Sequence, residues 1–252
     1  MKLFLAGDVP WRDVGLYDET IKKENPYILE SFFYVDDDTP RLMPYYGDFL
    51  LDSGAFTFMH DYKGEVNWDE YVDRYIEFIN KNKVEKFFEL DIDNVIGYDK
   101  VLSYRRMIER KTGRQSIPVW HISRGLDEFY KMCDEYPYVA LGGIVSEQRH
   151  GTKYRKYHAS FPWFISEAHK RGAKIHGLGF TALDLLTKCH FDSVDSTAWT
   201  TGNRFGLVYW FDGKTMRKKK APAGKRLKEY KQAALVNYQE WIKFQKYAKS
   251  HL

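Results

Sequence analysis

A chain of 252 residues, 44% of them hydrophobic, can bury one large core, and a single (β/α)8 barrel falls in this size range. Two cysteines, Cys133 and Cys189, exclude a Cys-rich zinc site and a disulfide scaffold and point to a reducing, cytoplasmic setting. The net charge is only +4, but acid gathers in the first part of the chain, as in Asp36-Asp37-Asp38, and base gathers after Gly213, which suits a polyanionic partner.

No apolar run approaches the roughly eighteen residues that a membrane span needs, and Met1–Ala6 meets Gly7-Asp8 too soon for a signal peptide. Lys2–Ala6 is the first expected strand, and a polar region follows it. Ile28–Val35 is the second, closed by a turn over Asp36–Pro40, and Phe49–Asp52 is the third, continued by a loop through Gly54 and Phe56. From Asn67 the spacing of Trp68, Tyr71, Val72, Tyr75, Ile76 and Ile79 predicts a helix, with Asn67 as N-cap and Glu70 at the capping-box position.

Lys86–Asp91 is apolar nearly throughout, as a strand covered on both faces should be, and a helix over Tyr98–Arg110 follows. Ile117–Ile122 is the fifth strand, Leu126–Tyr136 a helix and Tyr138–Ile144 the sixth strand. A long polar loop, Ser146–Tyr157, leads to a helix over Phe161–Arg171 that Gly172 closes. Lys174–Gly179 and Phe191–Asp195 are the last two strands, separated by a short helix at Ala182–Cys189.

Eight strands alternating with helices predict one TIM-like (β/α)8 barrel over residues 1–205, with an open doubly wound sheet as the alternative. Residues 206–252 are expected to form a hairpin with an Asp212-Gly213 turn and then a basic helix. Arg217–Arg226 would open that helix, and Leu227, Tyr230, Ala234, Tyr238, Trp241, Phe244 and Tyr247 would be its buried stripe. There is no internal repeat and no dinucleotide-binding glycine fingerprint, and neither a cofactor nor a metal is expected.

In parallel barrels the reacting groups stand at the C-terminal ends of strands. Asp52, Asp91, Asp93 and Asp195 occupy such ends, so four carboxylates are expected around one pocket. Paired carboxylates flanking a ribosyl C1′ can divide the work: one attacks as nucleophile, and the other moves protons to and from the departing base. A strand-end Asp also serves as a simple helix cap. Two other functions fit the same residues: a glycoside hydrolase using Asp52 and Asp195, or a noncatalytic nucleic-acid-binding barrel.

Leu51-Asp52-Ser53-Gly54-Ala55-Phe56, Leu90-Asp91-Ile92-Asp93, Leu141-Gly142-Gly143-Ile144, His176-Gly177-Leu178-Gly179 and Val194-Asp195-Ser196 occur in this order at strand ends. In this the chain resembles the tRNA-guanine transglycosylase superfamily, over roughly residues 48–205. That superfamily uses a (β/α)8 barrel to exchange guanine in a nucleic acid for a 7-deazaguanine. The resemblance implies Asp195 as nucleophile on C1′ and Asp52 as general acid/base. It implies Asp91, or Asp93 in its place, as the reader of the base edge, and the Gly142-Gly143 backbone as a contact to the base. Ser53 and Gly54 would line the same substrate site, and His121 falls where the family has a different base-recognising polar residue.

The family's tRNA enzymes carry a zinc subdomain of three cysteines and a histidine, which has no counterpart here, and they are longer. The chain is more similar to the compact, often phage-encoded relatives that place 7-deazaguanines such as preQ0 in DNA. DNA is therefore favoured over tRNA as substrate, and homodimers are common in the superfamily. Base-rich residues 214–231, interrupted by one acid, Glu229, suit phosphate contacts independently of family, with Arg204, Arg217, Lys218, Lys219, Lys220, Lys225 and Arg226 as the expected nucleic-acid contacts. A target guanine in a duplex must leave the stack, and Phe56, Trp199 or Phe205 could receive it.

Overall fold

The computed structural model describes residues 1–7, 14–54, 57–58, 64–142, 159–180, 186, 188–200, 206–220 and 230–252. Seven strands lie in one parallel sheet: β1 (Lys2–Ala6), β2 (Tyr27–Ser31), β3 (Asp48–Asp52), β4 (Val119–Trp120), β5 (Tyr138–Leu141), β6 (Lys174–Gly177) and β7 (Ser193–Ser196). Their order across the sheet is β3-β2-β1-β7-β6-β5-β4. Its outer strands are linked as well. Leu51 of β3 bridges to Phe87, and Phe88 bridges to Ile117, two residues before β4, both in parallel sense. The backbone bonds Phe88 N to Leu51 O (2.9 Å) and Ile117 N to Phe87 O (2.8 Å) carry that link.

Residue parity along the strands sorts the core, because successive side chains leave a strand on opposite sides. Leu3, Leu5, Ile28, Val139, Leu141, Ile175 and Val194 belong to the cluster that packs under the helices. Phe4, Ala6, Leu29, Leu50, Phe88, Ile117, Val119 and Ala140 form a separate cluster on the other side of the strands. The same parity puts His176, Ser193 and Asp195 on that second side, where polar residues need partners. At the start of β3, Asp48 lies between Lys2 and Lys86, 2.5 Å from each. Burial works against its charge, but the two ammonium groups outweigh it and hold the carboxyl below its ordinary value.

The helices are α1 (Val14–Glu24), α2 (Asp38–Leu42), α3 (Trp68–Lys81), α4 (Asp93–Ile96), α5 (Tyr98–Thr112), α6 (Gly125–Glu135), α7 (Phe161–Lys170) and α8 (Tyr230–His251). In α3 the predicted stripe is buried at Tyr71, Val72, Tyr75, Ile76 and Ile79, and Asn67 accepts from Glu70 N as its cap. Trp68 packs at the margin of that cluster. Gly113 ends α5 in the left-handed conformation, φ +67°, which costs glycine little.

Several expectations need correction. The polar stretch after β1 contains a helix, α1, whose Tyr17 and Ile21 are buried. The second strand stops at Ser31, and Phe32–Tyr34 turn into a 3-10 helix instead of extending to Val35. The basic residues Arg217, Lys218, Lys219 and Lys220 do not open the last helix. They form the exposed part of β9 (Met216–Lys220), which pairs antiparallel with β8 (Leu207–Phe211). The turn between them is held by Asp212, whose Oδ1 accepts from Lys214 N (3.0 Å) and Thr215 N (2.9 Å).

α8 joins hairpin and sheet. Its Asn237 accepts from Tyr209 N (2.7 Å) and its Glu240 from Phe211 N (2.8 Å), which satisfies the free edge of β8. Gln245 donates to Leu3 O (2.7 Å) and Tyr27 O (2.8 Å) and accepts from Tyr27 N (2.9 Å). Ala234, Tyr238, Trp241 and Phe244 of the expected stripe are buried and Tyr247 packs beside them, while Leu227 lies outside the described residues. Among the described residues no helix is long and apolar enough to cross a membrane.

The hydroxyl of buried Tyr75 donates to Phe88 O (2.9 Å) and lies 3.3 Å from Leu51 O, spanning the link between β3 and residues 87–88. Tyr75→Phe should therefore cost about 1 kcal/mol, more if either carbonyl is left without a partner, read as a lower urea midpoint at unchanged m-value.

Candidate active site

β3 ends in Asp52 and β7 carries Asp195, and both acids belong to one electrostatic neighbourhood with Asp91. The Asp52 carboxyl is pushed up to about 6, first by burial and then by the negative charges of Asp195 and Asp91. Backbone N–H groups of Gly54 and Ser53 limit that rise, and Oδ2 accepts from Gly54 N at 2.9 Å. Gly54 makes this turn at φ +84°, and a Cβ there would meet Phe33 Cβ and Tyr71 Oη at 2.9 Å. Between them, Ser53 is buried, its carbonyl accepts from Tyr71 OH (2.7 Å), and its Oγ has no partner among the described residues. A buried hydroxyl without a partner is uncommon in a folded protein.

Asp195 is only 6% exposed. Its Oδ1 accepts from Gly179 N (2.6 Å) and faces His176 Nε2 at 3.2 Å. Trp199, one of the three rings that could have received a flipped base, is core: its indole N–H donates to Ala6 O (2.8 Å), and its ring packs against Tyr238.

The acids after Phe88 are organised by arginines. Glu89 is fully buried and accepts from Arg105 Nε (2.6 Å), Arg124 Nη1 (2.7 Å) and Val119 N (2.8 Å). Arg124, its side chain 2% exposed, also reaches Asp93 (3.1 Å) and Asp91 (3.3 Å) and stacks over the Tyr98 ring at 4.3 Å. His121 follows β4, and its Nε2 lies 2.5 Å from Asp91 Oδ1. Burial alone would raise the Asp91 carboxyl, but the charge and hydrogen bond of His121, with Arg124 behind them, hold it below its ordinary range. For His121, burial pulls down, yet Asp91 outweighs it and the imidazole pKa rises. Both partners thus favour an ion pair.

Gly142 makes room for that pair. A Cβ there would lie 2.5 Å from His121 Cε1 and 2.6 Å from Val119 Cγ1, closer than packed atoms approach. Its N–H donates to Trp120 O at 2.8 Å. Asp91, Asp93 and His121 hold one ligand atom each within 4.8 Å of one another, a spacing that would suit a metal ion. Arg124 already supplies positive charge to both carboxylates, so a cation would compete with it.

The structure thus brings together Asp52, Ser53, Gly54, Asp91, Asp93, His121, Gly142 and Asp195 at the C-terminal ends of the strands. Gly143, Arg204, Lys225, Arg226, Phe56 and Phe205 lie outside the described residues. The reading of the sequence did not include Glu89, Arg105, Arg124 or Ser193 in the site, nor Tyr138. Glu89 carried a signal: an acid inside the apolar run Phe87–Leu90 must be buried, and a buried acid needs a cation.

Because the Asp52 carboxyl rises from about 3.9 in an unfolded chain to about 6 here, its ionisation opposes folding. Stability from this group is lost as pH climbs from about 4 to about 6 and stays lost above. Asp52→Asn should accordingly stabilise the protein by about 1–3 kcal/mol at pH 8 and by almost nothing at pH 4, measured by urea unfolding at both.

No family model matches the chain. It is 29% identical over 142 residues to Uncharacterized protein 306 of Sulfolobus islandicus rod-shaped virus 1, which is 50% of this chain and 42% of that protein. The chain thus spans less than half the length of this curated relative. Among solved structures, QR15, an aldolase, superimposes with a TM-score of 0.51 at 11% identity over 77% of this chain and 89% of that one. A structure named as a fructose-1,6-biphosphate aldolase from Coccidioides immitis gives 0.54 at 11% identity, over 99% and 90%. At such identities the likeness is one of fold, a parallel sheet wrapped by helices as in TIM barrels.

Proposed function

We propose that the chain is a transglycosylase that exchanges guanine in a nucleic acid, DNA in preference to tRNA, for a 7-deazaguanine such as preQ0. In this reading Phe87-Phe88 is the strand that completes a (β/α)8 barrel between β3 and β4, and the hairpin with α8 takes the place of a zinc subdomain. The observation that carries the proposal is the Asp52 carboxyl, raised to about 6 by burial and by Asp195 and Asp91. A carboxyl tuned toward neutral pH beside another carboxylate is the pairing that proton transfer and nucleophilic attack require.

The chemistry divides accordingly. A carboxylate oxygen of Asp195 bonds to C1′ as the C1′–N9 bond breaks, and the leaving purine takes the electron pair together with a proton from Asp52. The incoming deazaguanine then loses its N9 proton to Asp52, attacks C1′ and expels the Asp195 carboxylate. Asp91, held ionised by His121 and Arg124, offers acceptors only, which matches the N–H donors along the edge of guanine and its deaza analogues.

Arg217, Lys218, Lys219 and Lys220 are all exposed along β9, and Trp210, 43% exposed, pairs with Arg217 across the hairpin. This ribbon supplies phosphate contacts blind to sequence, with affinity that falls as salt rises.

Incubation with polynucleotide and labelled 7-deazaguanine should give incorporation with release of guanine. Asp195→Asn should lower it by about a thousandfold or more with binding retained, and denaturing gels should trap a polynucleotide adduct that needs Asp195. In a single turnover, adduct formation needs protonated Asp52 and should slow as pH rises above about 6, while Asp52→Asn should slow it about 10²- to 10⁴-fold. Release of reducing sugar from a glycan without any base exchange would overturn the proposal.

A further inference from the structure

A chain of hydrogen bonds crosses the inner side of the sheet and ends on Asp195. Tyr138 OH meets Ser193 Oγ, Ser193 Oγ lies 2.5 Å from His176 Nδ1, and His176 Nε2 lies 3.2 Å from Asp195 Oδ1. His176 is fully buried, with the Phe4 and Phe88 rings 6.2 Å and 5.3 Å away. Its described polar neighbours are Ser193 and Asp195, with Tyr138 one bond further on.

The direction of the chain follows from its two ends. Burial raises the Tyr138 phenol, so it keeps its proton and can donate to Ser193. Ser193, thus supplied, gives its own proton to Nδ1. That leaves Nε2 as the ring nitrogen that donates, facing the Asp195 carboxyl. Every member then donates once in the same sense. The opposite tautomer would set a lone pair against Asp195 and a proton against a hydroxyl that already has one to give.

The donors also choose between the oxygens of Asp195. His176 Nε2 and Gly179 N both address Oδ1, and among the described residues Oδ2 carries neither contact.

We propose that His176 is the positioning residue of Asp195: the Tyr138–Ser193 relay fixes its Nε2–H tautomer, which anchors Oδ1 and leaves Oδ2 as the oxygen that attacks. The proposal rests on the transglycosylase reading for the attack, but the tautomer stands independently of it. A wrong tautomer beside a reacting group is costly, and the loss can be large even when the fold is intact.

The test has two arms on the full chain. In the first, nitrogen NMR of the ¹⁵N-histidine-labelled protein at pH 8, with His176 assigned through His176→Gln, reads the tautomer without any substrate. The expected result is a neutral Nε2–H imidazole in the wild type, lost or mixed in Ser193→Ala. An Nδ1–H tautomer or an imidazolium in the wild type would overturn the proposal.

In the second arm, single-turnover adduct formation is compared across pH, with circular dichroism confirming that each variant is folded. Ser193→Ala should be slower by about 10- to 100-fold at pH 8 with unchanged polynucleotide affinity. Its rate relative to wild type should recover as pH falls, because a protonated imidazole donates from Nε2 whatever its former tautomer; the Asp52 titration cancels in that ratio. His176→Gln, which keeps a donor near the Nε2 position, should retain more activity than His176→Leu. Equal rates for all variants, or a ratio that does not move with pH, would overturn it. Absence of any adduct in the wild type would count against the transglycosylase reading and leave the tautomer result to stand.

Discussion

A carboxylate taken out of water must find a partner or keep its proton, and this protein settles that demand in three different ways within one cluster of strand-end acids. Glu89, Asp91 and Asp93 are given cations: Arg105, Arg124 and His121 lie within hydrogen-bonding reach of them. Asp195 is given the Gly179 N–H and the His176 imidazole. Asp52 is given the backbone N–H groups of Gly54 and Ser53 and two negative neighbours, and its proton affinity rises. Three environments produce three behaviours from the same functional group.

The charged groups at the opposite end of the strands contrast with these. Asp48 between Lys2 and Lys86 ties the beginnings of β1 and β3 to the chain entering residues 87–88, one carboxylate shared by two ammonium groups. Such pairs hold strands in register. The likeness to aldolases extends to the scaffold alone, because what a barrel of this kind does is decided by the side chains its strand ends present.

Much of this was legible in the sequence, and the reason is periodicity. Strands, the helix from Trp68 and the hairpin announce themselves through spacings of two or of three to four residues and through glycine, so the acids at strand ends could be placed before any coordinates. The partners of those acids follow no period. Arg124 lies in a short 3-10 turn after His121 and reaches Glu89, which precedes it by 35 residues; no local pattern encodes that meeting. His176 stood in the quoted motif, but its role depends on Ser193 and Tyr138, which face it from β7 and β5. The basic run failed for another reason. Lysine is a good helix former, but hydrogen bonding to β8 and the burial of Met216 outweigh that propensity and draw Arg217–Lys220 into a strand.

Gln245 has a consequence for how the molecule is made. It bonds to the backbone of Leu3 and Tyr27, partners 242 and 218 residues away in sequence. β1 and β2 leave the ribosome more than 200 residues before this glutamine, so these contacts must wait until it has been made. Closing loops of that size is entropically slow. Nascent chains of this protein should therefore remain susceptible to proteases until α8 has left the ribosome, and folding becomes a late, nearly all-at-once event.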